Sequence, residues 1–245
     1  MKRLLLTSSL VLVLAIVAIW MFGPRSIDAD IAPHEQLTVN NTTRSYRMVI
    51  PHSLSQPTPI VFAFHSTGDS PQSMADYSRL DRCAADNGFI LVYPAARKGM
   101  WGTVNIDPDH LDAHPDVRFF DRLLKQLSNQ YDIDRHRVYL VGMSNGASFC
   151  QLLATIRSSD IAAIAAHSGS RPHNLGAPQQ RFPIMLLVGE HDSALSAMRT
   201  DAEQYRSDGH DVKLVVVPRL AHAWSSRHNA EMWAFLAQHP TPNKP

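Results

Sequence analysis

The chain is poor in several features that would classify it quickly. It has two cysteines in 245 residues, Cys83 and Cys150, so no dense disulfide framework organises it. Its formal net charge is +1, from 23 Lys and Arg against 22 Asp and Glu. Acids and bases are interspersed, and the basic patch of a nucleic-acid binder is missing. There is no internal repeat and no low-complexity tract, which excludes solenoids and disordered arrays. Long hydrophobic runs are restricted to one, Leu4 to Phe22, behind the basic start Met1-Lys2-Arg3.

That run is long enough to cross a bilayer as a helix. Its basic end stays cytoplasmic, which sends everything after Gly23 outward. A cleaved signal peptide is the competing reading. The run exceeds the usual apolar length of such peptides, and with Ala29 at the cleavage position Ile27 would fill the −3 site poorly. No cysteine follows closely enough for a lipid anchor. The expected organisation is a membrane anchor or signal peptide over 1–25, a linker over 26–36, and one domain over 37–240. The domain is then extracytoplasmic, periplasmic or secreted, and meets the membrane only through the N-terminal segment. Roughly 215 residues remain for it, enough for a single α/β domain with a sizeable core.

Leu37–Val39 and Ser45–Ile50 alternate around Asn40-Asn41, the pattern of an antiparallel hairpin. Ile60–Phe64, Phe89–Tyr93, Val138–Val141, Ile161–Ala166, Ile184–Val188 and Val212–Val217 are short apolar runs, as expected of strands buried on both faces. Helical patterns lie between them: Ser70-Pro71 to Asn87, Asp116 to Tyr131, Ala147 to Ile156, Ala194 to Ser207, and Ala223 to Gln238. Apolar strands alternating with helices predict a mostly parallel, doubly covered sheet with right-handed crossovers and an N-terminal antiparallel hairpin. Ligands of such sheets bind beyond the carboxyl ends of the strands.

Gly142-Met143-Ser144-Asn145-Gly146 stands between one of these strands and a helical pattern. Strand, G-x-S-x-G, helix is the arrangement of a nucleophile elbow. The reversal forces the serine into a strained backbone conformation and demands small neighbours two positions either side. The alternative is an ordinary strand-to-helix turn with a capping serine. An elbow requires an acid and a histidine downstream; a cap does not. Ile184–Val188 runs into Gly189-Glu190-His191-Asp192, which offers Asp192, with Glu190 as the fallback. Val212–Val217 leads to His222, ahead of the final helical pattern. With 13 histidines in the chain, His191 and His228 are rivals. The order Ser144, Asp192, His222 is that of α/β-hydrolases and differs from other Ser-His-Asp enzymes.

These residues carry a resemblance. The chain resembles α/β-hydrolases, and more narrowly the polyhydroxybutyrate depolymerase / feruloyl esterase group of secreted esterases. The similar stretches are Pro59 to His65, Asn87 to Pro94, Asp116-Val117 with Phe119-Phe120, Tyr131 to Gly146, and His222-Ala223-Trp224. The resemblance implies Ser144 as nucleophile, His222 as base and Asp192 as its orienting partner. It implies oxyanion donors at the backbone N–H groups of Asn145 and Thr67, no metal and no cofactor. The expected substrate is a small or oligomeric ester, such as a hydroxyalkanoate oligomer or a feruloyl or acetyl ester. The same fold used as a peptidase or thioesterase, and a non-catalytic anchored binding protein, are the alternatives. Ser66 stands where the group has glycine, unfavourable if that position needs φ > 0. Arg219-Leu220-Ala221 and Ser225-Ser226 also depart from the group's pattern.

In that fold Cys83 and Cys150 fall on helices flanking opposite faces of the sheet. The separation, about 20 Å for two layer spacings, exceeds the roughly 7 Å a disulfide spans, so both are expected as free buried thiols. His110, Asp112, His114 and Asp116 alternate as metal ligands might be spaced, but a polar loop with Asp116 as helix N-cap is the preferred reading. Trp101, in the same loop, is a candidate to stack on substrate, or else an ordinary loop anchor.

Overall fold

Residues 26–241 are described by the computed structural model. The apolar run Leu4–Phe22 lies outside them, and among the described residues no helix is long and apolar enough to cross a membrane.

Eight strands form one sheet, in the order β1-β2-β4-β3-β5-β6-β7-β8. They are β1 Ala29–Val39, β2 Thr42–Pro51, β3 Thr58–Phe64, β4 Ile90–Pro94, β5 Ile133–Met143, β6 Ala163–His167, β7 Ile184–Gly189 and β8 Val212–Val217. The pairs β1·β2 and β2·β4 are antiparallel, and every pair from β4 to β8 is parallel. Asn40 and Asn41 both take positive φ, 48° and 61°, the conformation a two-residue hairpin turn needs and asparagine tolerates. All seven residues of β3 are buried, as are all of β4, β6 and β7. That is why these strands read as unbroken apolar runs.

Among the described residues, six α-helices cover the sheet: α1 Pro71–Ser78, α2 Leu80–Asn87, α3 Pro115–Gln130, α4 Asn145–Ile156, α5 Leu195–Ser207 and α6 Asn229–Ala237. One face packs α3, α4 and α5 through Phe120, Leu123, Phe149, Leu153, Met198 and Tyr205. The other packs α1, α2 and α6 through Met74, Leu80, Ala84, Met232 and Phe235. Cys83 belongs to one apolar layer and Cys150 to the other, and both are free and buried.

Three elements differ from expectation. Residues 29–36, expected as linker, are part of β1, an exposed edge strand whose backbone pairing the polar, Pro-containing sequence concealed. The single helix expected from Pro71 to Asn87 is broken at Arg79, which takes φ 56°. The break turns α2 so that Asp81 meets Arg47 at 3.0 Å and the Tyr93 hydroxyl at 2.7 Å. The last helix begins at Asn229, not Ala223, because residues 222–225 are held in a loop over the sheet edge.

Candidate active site

The strand order brings the loops after β3, β5, β6, β7 and β8 to one edge of the sheet. Ser144 sits between β5 and α4 with φ 54° and ψ −118°. This is a strained conformation for a residue with a side chain. Its surroundings over-determine it. A Cβ on Gly142 would overlap the backbone of Gly146, one on Gly146 would overlap the Phe64 carbonyl, and one on Gly169 would overlap the carbonyl of Ser144 itself. The Ser144 N–H is taken by the His167 carbonyl at 2.9 Å. Three glycines thus allow the β3, β5 and β6 ends to close on the turn, and the serine side chain is pushed outward.

His222 Nε2 lies 3.0 Å from Ser144 Oγ, and its Nδ1 lies 3.0 and 3.1 Å from the two oxygens of Asp192. The His222 side chain is 46% exposed while that of Asp192 is fully buried, so solvent reaches the imidazole but not the carboxylate behind it. Burial pushes the Asp192 pKa up. The Ala194 N–H, the Ser168 hydroxyl and His222 outweigh it and hold the carboxyl below its ordinary value. An ionised, hydrogen-bonded carboxylate fixes the Nδ1–H tautomer of His222 and leaves Nε2 to accept a proton from Ser144. The arrangement is competent for nucleophilic attack by Ser144 with His222 as general base.

Glu190 is turned elsewhere: its carboxylate accepts the Arg219 N–H at 2.9 Å. Of the rival histidines, His191 is exposed, and His228 bonds the Ser225 hydroxyl at 2.7 Å. Gly189 lets the last loop cross this edge, since a Cβ there would overlap the Leu220 carbonyl.

On the other side of Ser144 lies the turn after β3. Asn145 opens α4, so its N–H has no intrahelical partner. The Thr67 N–H has no protein acceptor among the described residues, while the neighbouring Asp69 N–H is bonded to Ser66 O at 3.2 Å and the Gly68 N–H to Gly99 O at 2.8 Å. Gly68, at φ 79°, supplies the left-handed residue of this turn; Ser66 has no positive φ. The glycine-to-serine departure at 66 therefore carries no backbone strain. His65 ties the turn down: its Nε2 accepts the Ala96 N–H at 3.0 Å and its Nδ1–H donates to Ser66 O at 2.7 Å. Burial lowers the His65 pKa, so it stays neutral.

Trp101 is not available to a substrate. It is fully buried, its indole stacks on Phe149 at 4.8 Å, and its Nε1–H donates to His65 O at 3.0 Å. It anchors the 95–114 loop, and the substrate-stacking role expected for it is corrected on that ground. The Asn145 side chain completes the anchor. Its carbonyl accepts the Trp101 N–H at 2.8 Å, and its amide donates to Trp101 O and Thr103 Oγ1 at 3.2 and 2.8 Å. The alternating residues of the loop are each committed separately. His110 meets Asp107, Asp112 meets Arg157, and His114 accepts the Asp116 N–H and so caps α3 in place of Asp116. Asp116 pairs with buried Arg44 at 2.8 Å and accepts the Gly102 N–H at 2.9 Å.

Sequence reasoning missed His167. It is buried at the end of β6, accepts the Ser225 N–H at Nε2 at 3.0 Å, and stacks on Trp224 at 5.0 Å. A histidine closing an otherwise apolar strand, followed by Ser168-Gly169, was the available signal.

The sheet order, its crossovers and the turn at Ser144 define an α/β-hydrolase fold. The feruloyl esterase module from Clostridium thermocellum, in a complex with sinapinate, matches with TM-score 0.72 at 15% identity over 91% of this chain and 92% of that one. An S-formylglutathione hydrolase from Agrobacterium tumefaciens matches with TM-score 0.70 at 14% identity over 89% and 98%. The family model described as Esterase PHB depolymerase matches residues 44–217, and the chain belongs to that family. A bifunctional acetylxylan esterase/xylanase of Neocallimastix patriciarum is 25% identical over 171 residues, 68% of this chain and 24% of that protein. A feruloyl esterase B of Neurospora crassa is 32% identical over 124 residues, 49% of this chain and 42% of that protein. The chain spans a quarter to a half of the length of these curated relatives.

Proposed function

We propose that the protein is a serine carboxylic ester hydrolase working through an acyl-enzyme. The observation that carries the reading is the unbroken chain of contacts from Ser144 Oγ through His222 to buried Asp192. His222 takes the Ser144 proton as Oγ attacks the ester carbonyl. The N–H groups of Asn145 and Thr67 receive the oxyanion, and His222 returns the proton to the departing alcohol. Water, deprotonated by His222, then releases the acid and restores Ser144. His222 is half-exposed, which suits an ester carried on a bulky alcohol or oligomer. Feruloyl, acetyl and hydroxyalkanoate esters are the substrate classes that the family and the relatives' names favour. The basic start and apolar run of the sequence support an extracytoplasmic placement with the N-terminal segment as tether.

Hydrolysis of short-chain p-nitrophenyl esters and methyl ferulate by residues 27–245, beside Ser144→Ala, tests the reading. Expected are turnover by the unaltered protein, labelling of Ser144 by a fluorophosphonate, and loss of both in the variant. Equal, near-background rates in the two proteins would overturn it and return the assignment to a peptidase, a thioesterase or a binding protein.

A further inference from the structure

The turn between β1 and β2, the start of β2 and the first turn of α3 border a cavity of about 200 Å³. Three arginines line it, Arg44, Arg97 and Arg118, together with Asn40, Thr42 and Phe119. No carboxylate lines it. The acids nearby are already answered: Asp116 by Arg44 at 2.8 Å, and Asp112 and Asp121 by Arg157 at 2.6 and 2.9 Å. Arg118 gives its Nε–H to the Asp112 carbonyl at 3.1 Å. Neither Arg118 nor Arg97 forms an ion pair among the described residues, and the side chains of Asn40 and Thr42 bond no protein atom there. In a chain with a formal net charge of +1, uncommitted cations and polar donors are thus gathered around one hollow.

The buried member of the three is fixed in place. The Arg44 guanidinium lies over the Phe119 ring at 4.2 Å, and its Nε and Nη2 donate to the Ala95 carbonyl at 3.2 and 2.7 Å. Its partner Asp116 accepts the Gly102 N–H at 2.9 Å. The pair therefore holds both ends of the segment that carries Trp101, whose own N–H rests on the Asn145 side chain beside Ser144. Arg97 and Arg118 are exposed and can close on a guest. A guanidinium presents parallel N–H donors that match the two oxygens of a planar carboxylate. The cavity has room for an acid group and a few carbons, less than a full ligand pocket. We propose that it is a carboxylate-binding site, taking the acid group of an oligomeric ester or of the free hydroxy acid that hydrolysis releases. The choice of these two sources rests on the ester-hydrolase reading above, since every turnover of such an enzyme releases a carboxylic acid and an oligomer of hydroxy acids carries one at its end. The anion site itself does not rest on it.

The test begins with calorimetric titration of 3-hydroxybutyrate and of its methyl ester into the Ser144→Ala protein, in a buffer free of phosphate and citrate. The acid should bind and the methyl ester should not. Adding Arg97→Ala or Arg118→Ala should raise the Kd of the acid about tenfold, the effect of one lost hydrogen bond to a charged group, and the two together should abolish binding. Arg97→Lys should restore part of the loss by restoring the charge. Arg206→Ala, which removes an exposed arginine from α5, should leave the Kd unchanged. Absence of binding, equal affinity for acid and methyl ester, or a Kd no higher in R97A/R118A than in R206A would overturn the proposal. Turnover then separates the two sources. If the acid group is the substrate's, the trimer of 3-hydroxybutyrate with a free acid end should exceed its methyl ester about tenfold in kcat/KM, and R97A/R118A should remove that preference through KM alone. If it is the product's, the two trimers turn over alike while the calorimetric binding stands. Failure of the unaltered protein to hydrolyse either trimer or p-nitrophenyl acetate would count against the ester-hydrolase reading and leave the binding result untouched.

Discussion

Two buried histidines close the ends of two parallel strands, His65 after β3 and His167 at the end of β6, and they are wired alike. Each accepts a loop N–H at Nε2, from Ala96 and Ser225 respectively, and each donates from Nδ1. Burial holds both neutral. They differ in where the donated proton goes. His65 gives it to the carbonyl of its own neighbour Ser66, and the chain of contacts stops in backbone. His167 gives it to the Ser168 hydroxyl, a side chain in place of backbone. The first is a staple for the turn that presents the Thr67 N–H. The second is a staple for the loop that carries His222. Disturbing the first should therefore alter how an oxyanion is held, and disturbing the second should alter how a proton is moved.

Replacing Ser144 with alanine should cost roughly 10⁵-fold in kcat and silence both sides alike; it sets the floor for everything else in steady-state assays. Trp101→Ala strikes the His65 side alone. Removing a fully buried indole should cost about 3–5 kcal/mol of stability, readable in urea unfolding, and a stability within 1 kcal/mol of the unaltered protein would deny Trp101 its anchoring role. The two histidines also predict the acid side of the stability curve. Their pKa values are lower in the folded chain than in the unfolded one, so the unfolded state takes up the proton first and stability falls as pH falls below about 6.5. For His167, whose folded value is about 4, the loss across that interval amounts to about 3 kcal/mol. H167Q should flatten the curve by that amount; a curve parallel to that of the unaltered protein would show His167 to be charged when folded. The smallest effect sharpens the contrast most. Asn145→Ala leaves the 145 N–H in place but releases Trp101 and Thr103, and should lower kcat about tenfold with the acid limb unmoved.

Much of this arrangement could be read before folding. Ser144, Asp192 and His222 each follow an apolar run, and a parallel sheet gathers such positions at one edge; the structure places the three within hydrogen-bond reach. Sequence favoured Asp192 and kept Glu190 as a fallback, because what removes Glu190 is the Arg219 N–H, which folds back onto its carboxylate. Trp101 read as a loop aromatic because its burial arises from long-range contacts with Phe149, His65 and Asn145. The break at Arg79 carries no glycine or proline to announce it; the Asn229 amide, 150 positions on, takes the Ser78 carbonyl there at 2.7 Å. His167 was hidden among 13 histidines, since what distinguishes it is a backbone N–H contributed by residue 225.

The Asn145 clamp grips the main chain of Trp101 and, of the loop's side chains, bonds only the Thr103 hydroxyl. Met100 and Val104, on either side of the gripped stretch, are 50% and 70% exposed. The fixture that seats the loop beside the serine is thus indifferent to what the loop displays at those two points. Single substitutions there can change the loop's outward surface while the elbow, crowded by its three glycines, stays as it is. Positions 100 and 104 are the interchangeable parts of a loop whose seat is fixed elsewhere.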